Sequence, residues 1–372
     1  MSHGFADLIA DNSENNADLR YLSGFAAPDP FLYFAVDGKR FIAVSDLEFD
    51  RAGKEAKPGV TVLNLQKLAP RGSDFAAVIG AIQKQFAVER FRVPVDFPFG
   101  LAEKLRRNNI ALEAASGAFC PERARKSEAE ITLIREALAV TEQGMRRAFE
   151  LLGACSIADD GKLLLDGEFF TSERLRREID SELARCGASG IGTIAAGGIQ
   201  GACPHLRGEG VLYAHTPIVM DIFPRHNDSG YYGDLTRTVV KGKAPAVVQK
   251  AFDAVRTVRE ECKALVRAGV AGHVPHDHAA ARLAELGFPT GESKKGFYGF
   301  FHGLGHGVGL EIHEAPRLSR NVNCILQGGE VVTVEPGVYD PDWGGLRLED
   351  MVVVREECAE CLTTIETFLE IE

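Results

Sequence analysis

The sequence contains no apolar run that approaches the roughly 18 residues needed to span a membrane. Its opening segment, MSHGFADLIADNSENN, lacks the basic stretch followed by an apolar one that marks a secretory leader. Basic residues are outnumbered, at 42 against 53 acidic ones, and no block of Lys and Arg offsets the net charge of -11. These absences predict a cytoplasmic protein that binds neither membrane nor nucleic acid, and whose partners are small molecules.

Paired cysteines of the kind that hold zinc are also scarce. The eight Cys are scattered singly, except for Cys358 and Cys361, which form one CxxC in the segment EECAECLT. A single CxxC is a weak signal for a zinc or redox module, which stays a remote alternative. We predict ordinary free thiols in a reducing compartment.

The length of 372 residues exceeds what one hydrophobic core usually holds, so two domains are expected. Near the start, β-rich runs at residues 31–36 and 40–45 flank the turn signal Asp37-Gly38-Lys39. Helical and extended patterns then alternate over residues 74–87, 91–96, 98–108 and 110–115. This alternation predicts a small mixed α/β domain over residues 1–124.

A helix start opens the second domain, which we place at residues 125–372. Ser127 followed by Glu130 fits a capping box, and apolar residues recur at helical spacing through Leu152. The charged, Gly-bearing stretch 158–170 is typical of a surface loop or hairpin. From there on, short β-type segments separated by glycines alternate with helices.

Five residues of metal-binding types stand in short, distinctive phrases of this second domain. They are Asp221 in VMDIFPR, Asp234 in GYYGDLTRT, His306 in HGLGHGVGLEIHE, Glu335 in VTVEPGVY and Glu349 in GGLRLEDMV. Four carboxylates and one imidazole suit a pair of divalent cations, because buried charge without a counter-charge is costly. The oxygen-rich set favours Mn²⁺ or Co²⁺ over the thiolate sites of structural zinc. Two such ions are machinery for hydrolysis.

Further polar residues accompany the five. Asp221 ends an apolar strand, and a hairpin would bring Asp234 beside it. His302 and His313 flank His306 among four glycines, where an imidazole can donate hydrogen bonds or relay protons. Arg347 lies two residues before Glu349 on the same strand face, so it either holds a substrate carboxylate or carbonyl or orients Glu349 through a salt bridge.

These phrases resemble the metallopeptidases of the pita-bread fold, the group of methionine aminopeptidase, aminopeptidase P and prolidase. The resemblance covers about residues 125–372, and HGLGHGVGLEIHE, VEPGVY and GLRLED are especially similar to the Xaa-Pro branch. The segment NNADLRYLSGF is similar to the amino-terminal domain of that branch. The resemblance implies an α/β (α+β) chain, in which a creatinase-like N-terminal domain precedes a pita-bread catalytic domain.

The resemblance also implies roles for individual residues. Asp221 would chelate one metal ion, Asp234 and Glu349 would bridge both, and His306 and Glu335 would complete the other. Glu335 would also carry a proton from water to the leaving nitrogen. The implied catalytic and pocket residues outside the ligand set are His205, which matches a substrate-gating histidine, and His302, His313 and Arg347, which match residues around the proline.

The implied activity is that of a dinuclear metal-dependent exopeptidase that cleaves between an N-terminal residue and a following proline. Its cofactors would be two divalent ions, Mn²⁺ first and Co²⁺ or Zn²⁺ as alternatives, and a homodimer is expected. Cleavage of longer peptides, as by aminopeptidase P, is favoured over cleavage of dipeptides alone, as by prolidase. A metal-free creatinase-like enzyme or binding protein is a remote alternative, because such relatives lose ligands and this chain keeps all five.

One departure concerns the pocket. The family usually has Gly two residues after the first Asp, whereas Phe223-Pro224 stands here, and the turn to Asp234 is slightly longer. We expect this change to reshape one wall of the pocket without touching a ligand, so its effect would be on substrate preference.

Overall fold

The structure is a computed structural model that describes residues 4–372. The chain divides into two compact units, Met1–Arg123 and Ala124–Glu372. The prediction that the opening segment is not a secretory leader falls partly on residues that lie outside the described part. Among the described residues, no helix is long and apolar enough to cross a membrane.

The first unit is built on one six-stranded mixed sheet with the order β4-β3-β2-β1-β5-β6. Its strands and helices are β1 (Phe5–Asp11), α1 (Ala17–Ser23), β2 (Phe31–Val36), β3 (Lys39–Val44), α2 (Asp46–Glu55), β4 (Val60–Asn64), α3 (Leu65–Leu68), α4 (Phe75–Gln85), β5 (Arg90–Val93), α5 (Phe99–Arg107) and β6 (Ala111–Ala114). β1, β2 and β3 pair antiparallel, while the outer pairs are parallel.

Alternation along these strands buries both faces of the sheet. Leu8 and Leu32 belong to one apolar cluster, whereas their neighbours Ile9 and Tyr33 belong to the other. The hairpin predicted at residues 37–39 is confirmed, since Asp37 and Gly38 both take positive φ, at 51° and 73°. The predicted alternation of helices and strands to residue 115 is confirmed as well.

The second unit holds the remaining elements. They are α6 (Glu128–Ala154), β7 (Ser156–Ile157), β8 (Leu163–Leu165), β9 (Glu168–Phe169), α7 (Ser172–Arg185), β10 (Ala188–Ser189), β11 (Ile194–Gly197), β12 (Ile218–Ile222), β13 (Arg225–His226), β14 (Leu235–Lys241), α8 (Ala246–Leu265), α9 (His273–Glu285), β15 (Gly291–Ser293), β16 (Gly296–Tyr298), β17 (Gly305–Gly307), β18 (Glu314–Leu318), β19 (Val331–Val334), β20 (Gly337–Asp340), β21 (Gly344–Arg347), β22 (Asp350–Val354), β23 (Ala359–Cys361) and β24 (Glu370–Ile371).

The capping box predicted for α6 is present. The side chain of Ser127 accepts a hydrogen bond from the Glu130 N–H, and Glu130 Oε2 accepts one from the Ser127 N–H at 2.9 Å. The stretch 158–170 contains the hairpin of β8 and β9, as its turn residues predicted, and β7 just before it pairs antiparallel with β8. All eight cysteines are free thiols.

Two sheets of the second unit, each covered by a pair of helices, position the candidate site. In the sheet β11-β12-β14-β24, Met220 packs with α6 and α7 in one cluster. In the sheet β18-β17-β19-β22-β23, Val332 and Val334 pack with α8 and α9 in another. The strand period of two therefore turns the neighbours of these residues to the faces away from the helices.

Candidate metal centre

Asp221 and Asp234 lie in the two arms of one hairpin. Met220 and Ile222 of β12 point into the helix-covered cluster, so Asp221 between them points to the opposite face. Asp234 immediately precedes β14, where Thr236 pairs with Asp221 across the antiparallel ladder. The carboxyl-bearing residues are buried, at 9% and 4% exposure. The hairpin expected from the sequence is therefore present.

Glu349 reaches the same face from the segment between β21 and β22. Its N–H donates to the Thr236 carbonyl at 3.1 Å, and its Oε2 lies 2.8 Å from Thr236 Oγ1. The same hydroxyl lies 3.0 Å from Asp221 Oδ1. Because a hydroxyl carries one proton, it donates to one of the two carboxylates at a time. Thr236 thus holds Asp221 and Glu349 at a fixed spacing.

His306 and Glu335 come from the other sheet, where β17 and β19 are neighbours. The hydroxyl of Thr333 accepts from the His306 N–H at 3.1 Å and donates to Glu335 Oε1 at 3.2 Å. His306 Nε2 lies 3.3 Å from Glu335 Oε1 and 3.6 Å from Asp234 Oδ2. The imidazole therefore joins carboxylates that belong to the two sheets.

A glycine makes this approach possible. A Cβ on Gly305 would lie 2.0 Å from the carbonyl oxygen of Thr333, far closer than any real contact. Only glycine lets β17 sit against β19 with His306 in place. The glycines that surround the histidines in HGLGHG are therefore explained partly by backbone packing.

Asp234, His306 and Glu349 lie close enough together to bind one metal ion. Each offers one ligand atom, and these atoms lie within 4.8 Å of one another in buried surroundings. Burial, together with the other carboxylates, raises the pKa of Asp234 and of Glu349 well above their ordinary values. The charged forms repel one another, and divalent cations would relieve that repulsion. The donor set, oxygen-rich with one imidazole, therefore fits such ions.

The pKa of Glu335 is shifted in the opposite direction from those of Asp234 and Glu349. Burial alone would favour its protonated form, but the hydrogen bond and positive charge from His306, and then His302 and Arg347, lower its pKa to about 2. Glu335 is thus the carboxylate of the group that is most readily ionised.

Arg347 is buried against Asp221. Its Nη2 donates to Asp221 Oδ2 at 2.7 Å, its Nη1 to the Tyr339 hydroxyl at 2.9 Å and its Nε to Thr236 Oγ1 at 3.1 Å. Burial disfavours its charge, yet the neighbouring Tyr339 and carboxylates raise the pKa of Arg347 well above its ordinary value. The guanidinium is therefore a fixed positive charge at the edge of the acidic group.

The other three histidines differ in how they are held. His302 Nε2 lies 3.0 Å from the Tyr339 hydroxyl, and its Nδ1 lies 2.7 Å from the Gly303 carbonyl oxygen. The exposed His313 packs edge-on against His306, with ring centroids 4.3 Å apart. Burial lowers the pKa of His302 to about 4, and the packing of one side of the His313 ring, together with the neighbouring His306, lowers the pKa of His313 to about 4 as well. His205 is exposed.

Two residues at the centre were not anticipated from the sequence. Thr236 lies two positions after Asp234, so the strand period could have placed it on the same face. Tyr339 lies four positions after Glu335 and connects His302 with Arg347 through its hydroxyl. Burial raises the pKa of Tyr339 to about 12, so this phenol keeps its proton at neutral pH.

The departure at Phe223 falls beside this site. Phe223 follows β12 directly, two residues after Asp221, and its side chain is partly exposed. Its ring covers Gly192, where a Cβ would lie 3.3 Å from the tip of the ring.

Comparison with known families matches both parts of the chain. Residues 132–356 match metallopeptidase family M24, and residues 8–124 match the creatinase/prolidase N-terminal domain. An Xaa-Pro dipeptidase of Pyrococcus horikoshii is 26% identical over 357 residues, which cover 94% of this chain and 91% of that protein. An Xaa-Pro dipeptidase of Pyrococcus furiosus is 32% identical over 219 residues, 57% of this chain and 60% of that protein.

Solved structures share the fold. An X-Pro aminopeptidase from Thermotoga maritima superposes with a TM-score of 0.83 at 23% identity, covering 98% of this chain and 97% of that one. An Xaa-Pro dipeptidase from Bacillus anthracis gives 0.84 at 22% identity, covering 99% and 95%. The fold class expected from the resemblance is confirmed. Since the matched family covers more than half of its length, the chain belongs to metallopeptidase family M24.

Proposed function

We propose that this protein is an Xaa-Pro exopeptidase, which hydrolyses the bond between an N-terminal residue and a following proline. The observation that carries the proposal is the buried convergence of Asp234, His306 and Glu349 within 4.8 Å, in a chain of a metallopeptidase family. The relatives named Xaa-Pro dipeptidase and X-Pro aminopeptidase support the choice of proline in the second position.

Two divalent ions, Mn²⁺ before Co²⁺ or Zn²⁺, are proposed as cofactors. Asp221 would bind one ion, and Asp234 and Glu349 would bind both. His306 and Glu335 would complete the other. The geometry supports this division, because Asp221 lies across Thr236 from Glu349 while Glu335 lies 3.3 Å from His306.

Divalent ions at such a site supply Lewis-acid chemistry, by making water a nucleophile near neutral pH and by polarising the scissile carbonyl. The protein side chains would direct protons around that reaction. Glu335, which the Thr333 hydroxyl holds in place beside His306, would take a proton from the attacking water and give it to the leaving nitrogen. That nitrogen belongs to proline and has no hydrogen of its own, so the delivered proton is essential.

Recognition of proline would use the residues beside Glu335. The proline nitrogen in an Xaa-Pro bond has no N–H for the protein to bind, so the pocket must recognise the proline ring and the proline carbonyl instead. His302 and the Tyr339 hydroxyl are held together at 3.0 Å and would line the ring pocket. His205 and His313, which are both exposed, would donate hydrogen bonds to substrate carbonyl oxygens.

Cleavage of longer peptides is the first candidate, and a dipeptidase is the second. A dipeptidase must pair the free carboxylate of proline with a cation. The Arg347 side chain donates hydrogen bonds to Asp221, Thr236 and Tyr339, which supports a role in holding the site rather than in binding a substrate carboxylate. The second candidate is favoured by the relatives named Xaa-Pro dipeptidase.

The deciding experiment incubates the purified protein with Mn²⁺ and a panel of Xaa-Pro and Xaa-Pro-Yaa peptides, with products identified by mass. We expect release of the N-terminal residue from both kinds of peptide, and no release from matched peptides in which Ala replaces Pro. Cleavage of Xaa-Pro with Xaa-Pro-Yaa left intact would select the dipeptidase, and no Mn²⁺-dependent cleavage of either would reject the proposal.

We also propose that the protein forms a homodimer, that it is located in the cytoplasm, and that its domain boundary lies between residues 124 and 125. Light scattering of the purified protein tests the first of these directly.

A further inference from the structure

Two large aromatic side chains lie open to solvent beside the metal centre. Phe297 on β16 is 59% exposed, and Phe301, which directly precedes His302, is 38% exposed. We call these two residues the aromatic shelf. Exposed aromatic side chains in a group often mark a binding surface, because they offer much apolar area at a small cost in conformational entropy.

The shelf is continuous with the proposed proline pocket. The rings of Phe297 and Phe301 have centroids 6.0 Å apart, and Phe301 lies 5.3 Å from the ring of Tyr339. Tyr339 in turn packs against His302 at 5.4 Å. A row of rings therefore leads from the buried phenol to the surface, with Phe297 at its outer end.

The backbone holds the shelf firmly against the site. Gly299 and Tyr339 exchange two backbone hydrogen bonds of 2.8 and 3.1 Å. These bonds attach to β20 the segment that runs from β16 to Phe301. Gly299 has φ +86°, and a Cβ there would lie 2.4 Å from the Pro289 carbonyl oxygen, so the close approach requires glycine. Lys295 at the hairpin tip also forms an ion pair with Asp342 beyond β20.

The order of contacts gives the row a direction. Glu335 acts on His302 electrostatically, His302 bonds Tyr339, and Tyr339 packs on Phe301. The shelf is thus separated from the proposed metal ligands by the proline pocket. A peptide bound with its scissile bond at the ligands and its proline at His302 and Tyr339 would lay its next residue toward the shelf.

We propose that the aromatic shelf is a binding subsite for an apolar side chain on the residue that follows proline. This inference rests on the proposed Xaa-Pro activity and adds a preference to it: among peptides of three or more residues, those with an apolar third residue are cleaved most efficiently. Leu or Phe in that place would remove apolar area from water on both partners, whereas Gly would leave the shelf exposed.

The test compares three substrates, Ala-Pro, Ala-Pro-Gly and Ala-Pro-Leu, with the Mn²⁺-loaded full chain. For wild type we expect kcat/KM for Ala-Pro-Leu to exceed that for Ala-Pro-Gly by about tenfold, as a partly buried apolar side chain allows. Phe297→Ser and Phe301→Ser should bring this ratio close to one, mainly through KM. Phe169→Ser is the matched control, because Phe169 is 53% exposed on β9 and plays no part in the shelf; it should keep the wild-type ratio.

A wild-type ratio near one, or a ratio that survives both shelf substitutions, would overturn the subsite while leaving the proposed activity intact. A shelf that is instead a contact between two copies of the chain would show itself if Phe297→Ser dissociated a dimer and left the ratio unchanged. Should wild type cleave none of the three peptides, the proposed function fails. Calorimetric binding of Ala-Pro-Leu and Ala-Pro-Gly to the metal-free protein then decides the subsite, with tighter binding of the Leu peptide expected and equal binding contradicting it.

Discussion

Thr236 connects two proposed metal ligands through one hydroxyl group. Its Oγ1 lies 3.0 Å from Asp221 Oδ1 and 2.8 Å from Glu349 Oε2, and it accepts from Arg347 Nε at 3.1 Å. Groups that orient ligands in this way commonly change metal affinity by about 10- to 100-fold when removed.

Replacing Thr236 by Val should therefore weaken Mn²⁺ binding by about 10- to 100-fold. The fold should persist, because Val has nearly the same shape and suits a strand. Thr238→Val is the matched control on the same strand, since the Thr238 hydroxyl donates to the Arg347 carbonyl and accepts from the Arg347 N–H. Equilibrium dialysis against Mn²⁺ measures both, and equal losses would show that Thr236 has no special role.

The histidines should separate by function. His306→Ala should lower metal content, because His306 supplies the only nitrogen in the proposed ligand set. His205→Ala and His313→Ala should retain metal and lower turnover by about 10²- to 10⁴-fold, as expected for lost proton or hydrogen-bond contacts. Metal analysis together with kcat for each variant checks this, and three variants with the same profile would refute the division.

The candidate site was predictable where a residue type is chemically unusual in its place. Four acidic residues in or beside apolar, β-rich segments and a histidine among glycines pointed to metal before any geometry was known. Thr236 was overlooked because a Thr in a strand is ordinary, and only the register with Asp221 reveals its position. The contact of Arg347 with Asp221 joins residues 126 positions apart, which no local pattern encodes.

Strand β14 supports the centre from its opposite side. Asp350, at the start of β22, forms salt bridges with Arg237 at 3.0 Å, Lys263 at 2.8 Å and Arg259 at 3.3 Å. Arg237 also donates to the Glu349 carbonyl at 2.5 Å, so this ionic group holds the backbone of a proposed ligand. Asp350 is 3% exposed, which means that its loss would leave buried cations without their counter-charge.

Asp350→Asn should lower the free energy of unfolding by about 3–5 kcal/mol, because breaking a buried ion pair leaves charge uncompensated. The same substitution at Asp253 is the control. Asp253 pairs with Arg256 on α8 at 52% and 50% side-chain exposure, and exposed pairs contribute about 0–1 kcal/mol. Urea unfolding of the full chain compares the two, and similar losses would contradict the ranking.

Asp350 should also contribute to acid sensitivity. Burial opposes its ionisation, but Arg259, Arg237 and Lys263 together hold its pKa below the ordinary 3.8. Its stabilising effect is therefore complete above pH 3.8 and is lost as pH falls through the lower folded-state pKa. Unfolding measured between pH 5 and pH 3 should show a smaller decline for Asp350→Asn than for wild type, whereas parallel declines would contradict this assignment.

The elements themselves were largely readable from the sequence. The capping box at Ser127 and the turn at Asp37-Gly38 depend on neighbours within a few residues, so their signals are local. The hairpin β15–β16 was not resolved from the strand-rich pattern around it, because its strands are only three residues long. The shelf that it carries therefore became visible only in three dimensions.

The whole chain combines two units that each bury their own apolar clusters. The first unit has one cluster on each face of its sheet, and the second has one beneath each helix-covered sheet. The proposed ligands come from both sheets of the second unit. Their convergence therefore depends on the complete fold of that unit rather than on any one segment.

The central claim is that the buried carboxylates and His306 form a centre for two metal ions, and metal stoichiometry tests it most directly. Wild-type protein and Glu349→Gln are saturated with Mn²⁺, freed of unbound metal and analysed by mass spectrometry for Mn per chain. We predict two equivalents for wild type, and a clear loss of both metal and activity for Glu349→Gln, since a bridging carboxylate balances both ions. Wild type that binds no Mn²⁺, or a fully active Gln variant that keeps two equivalents, would contradict the account.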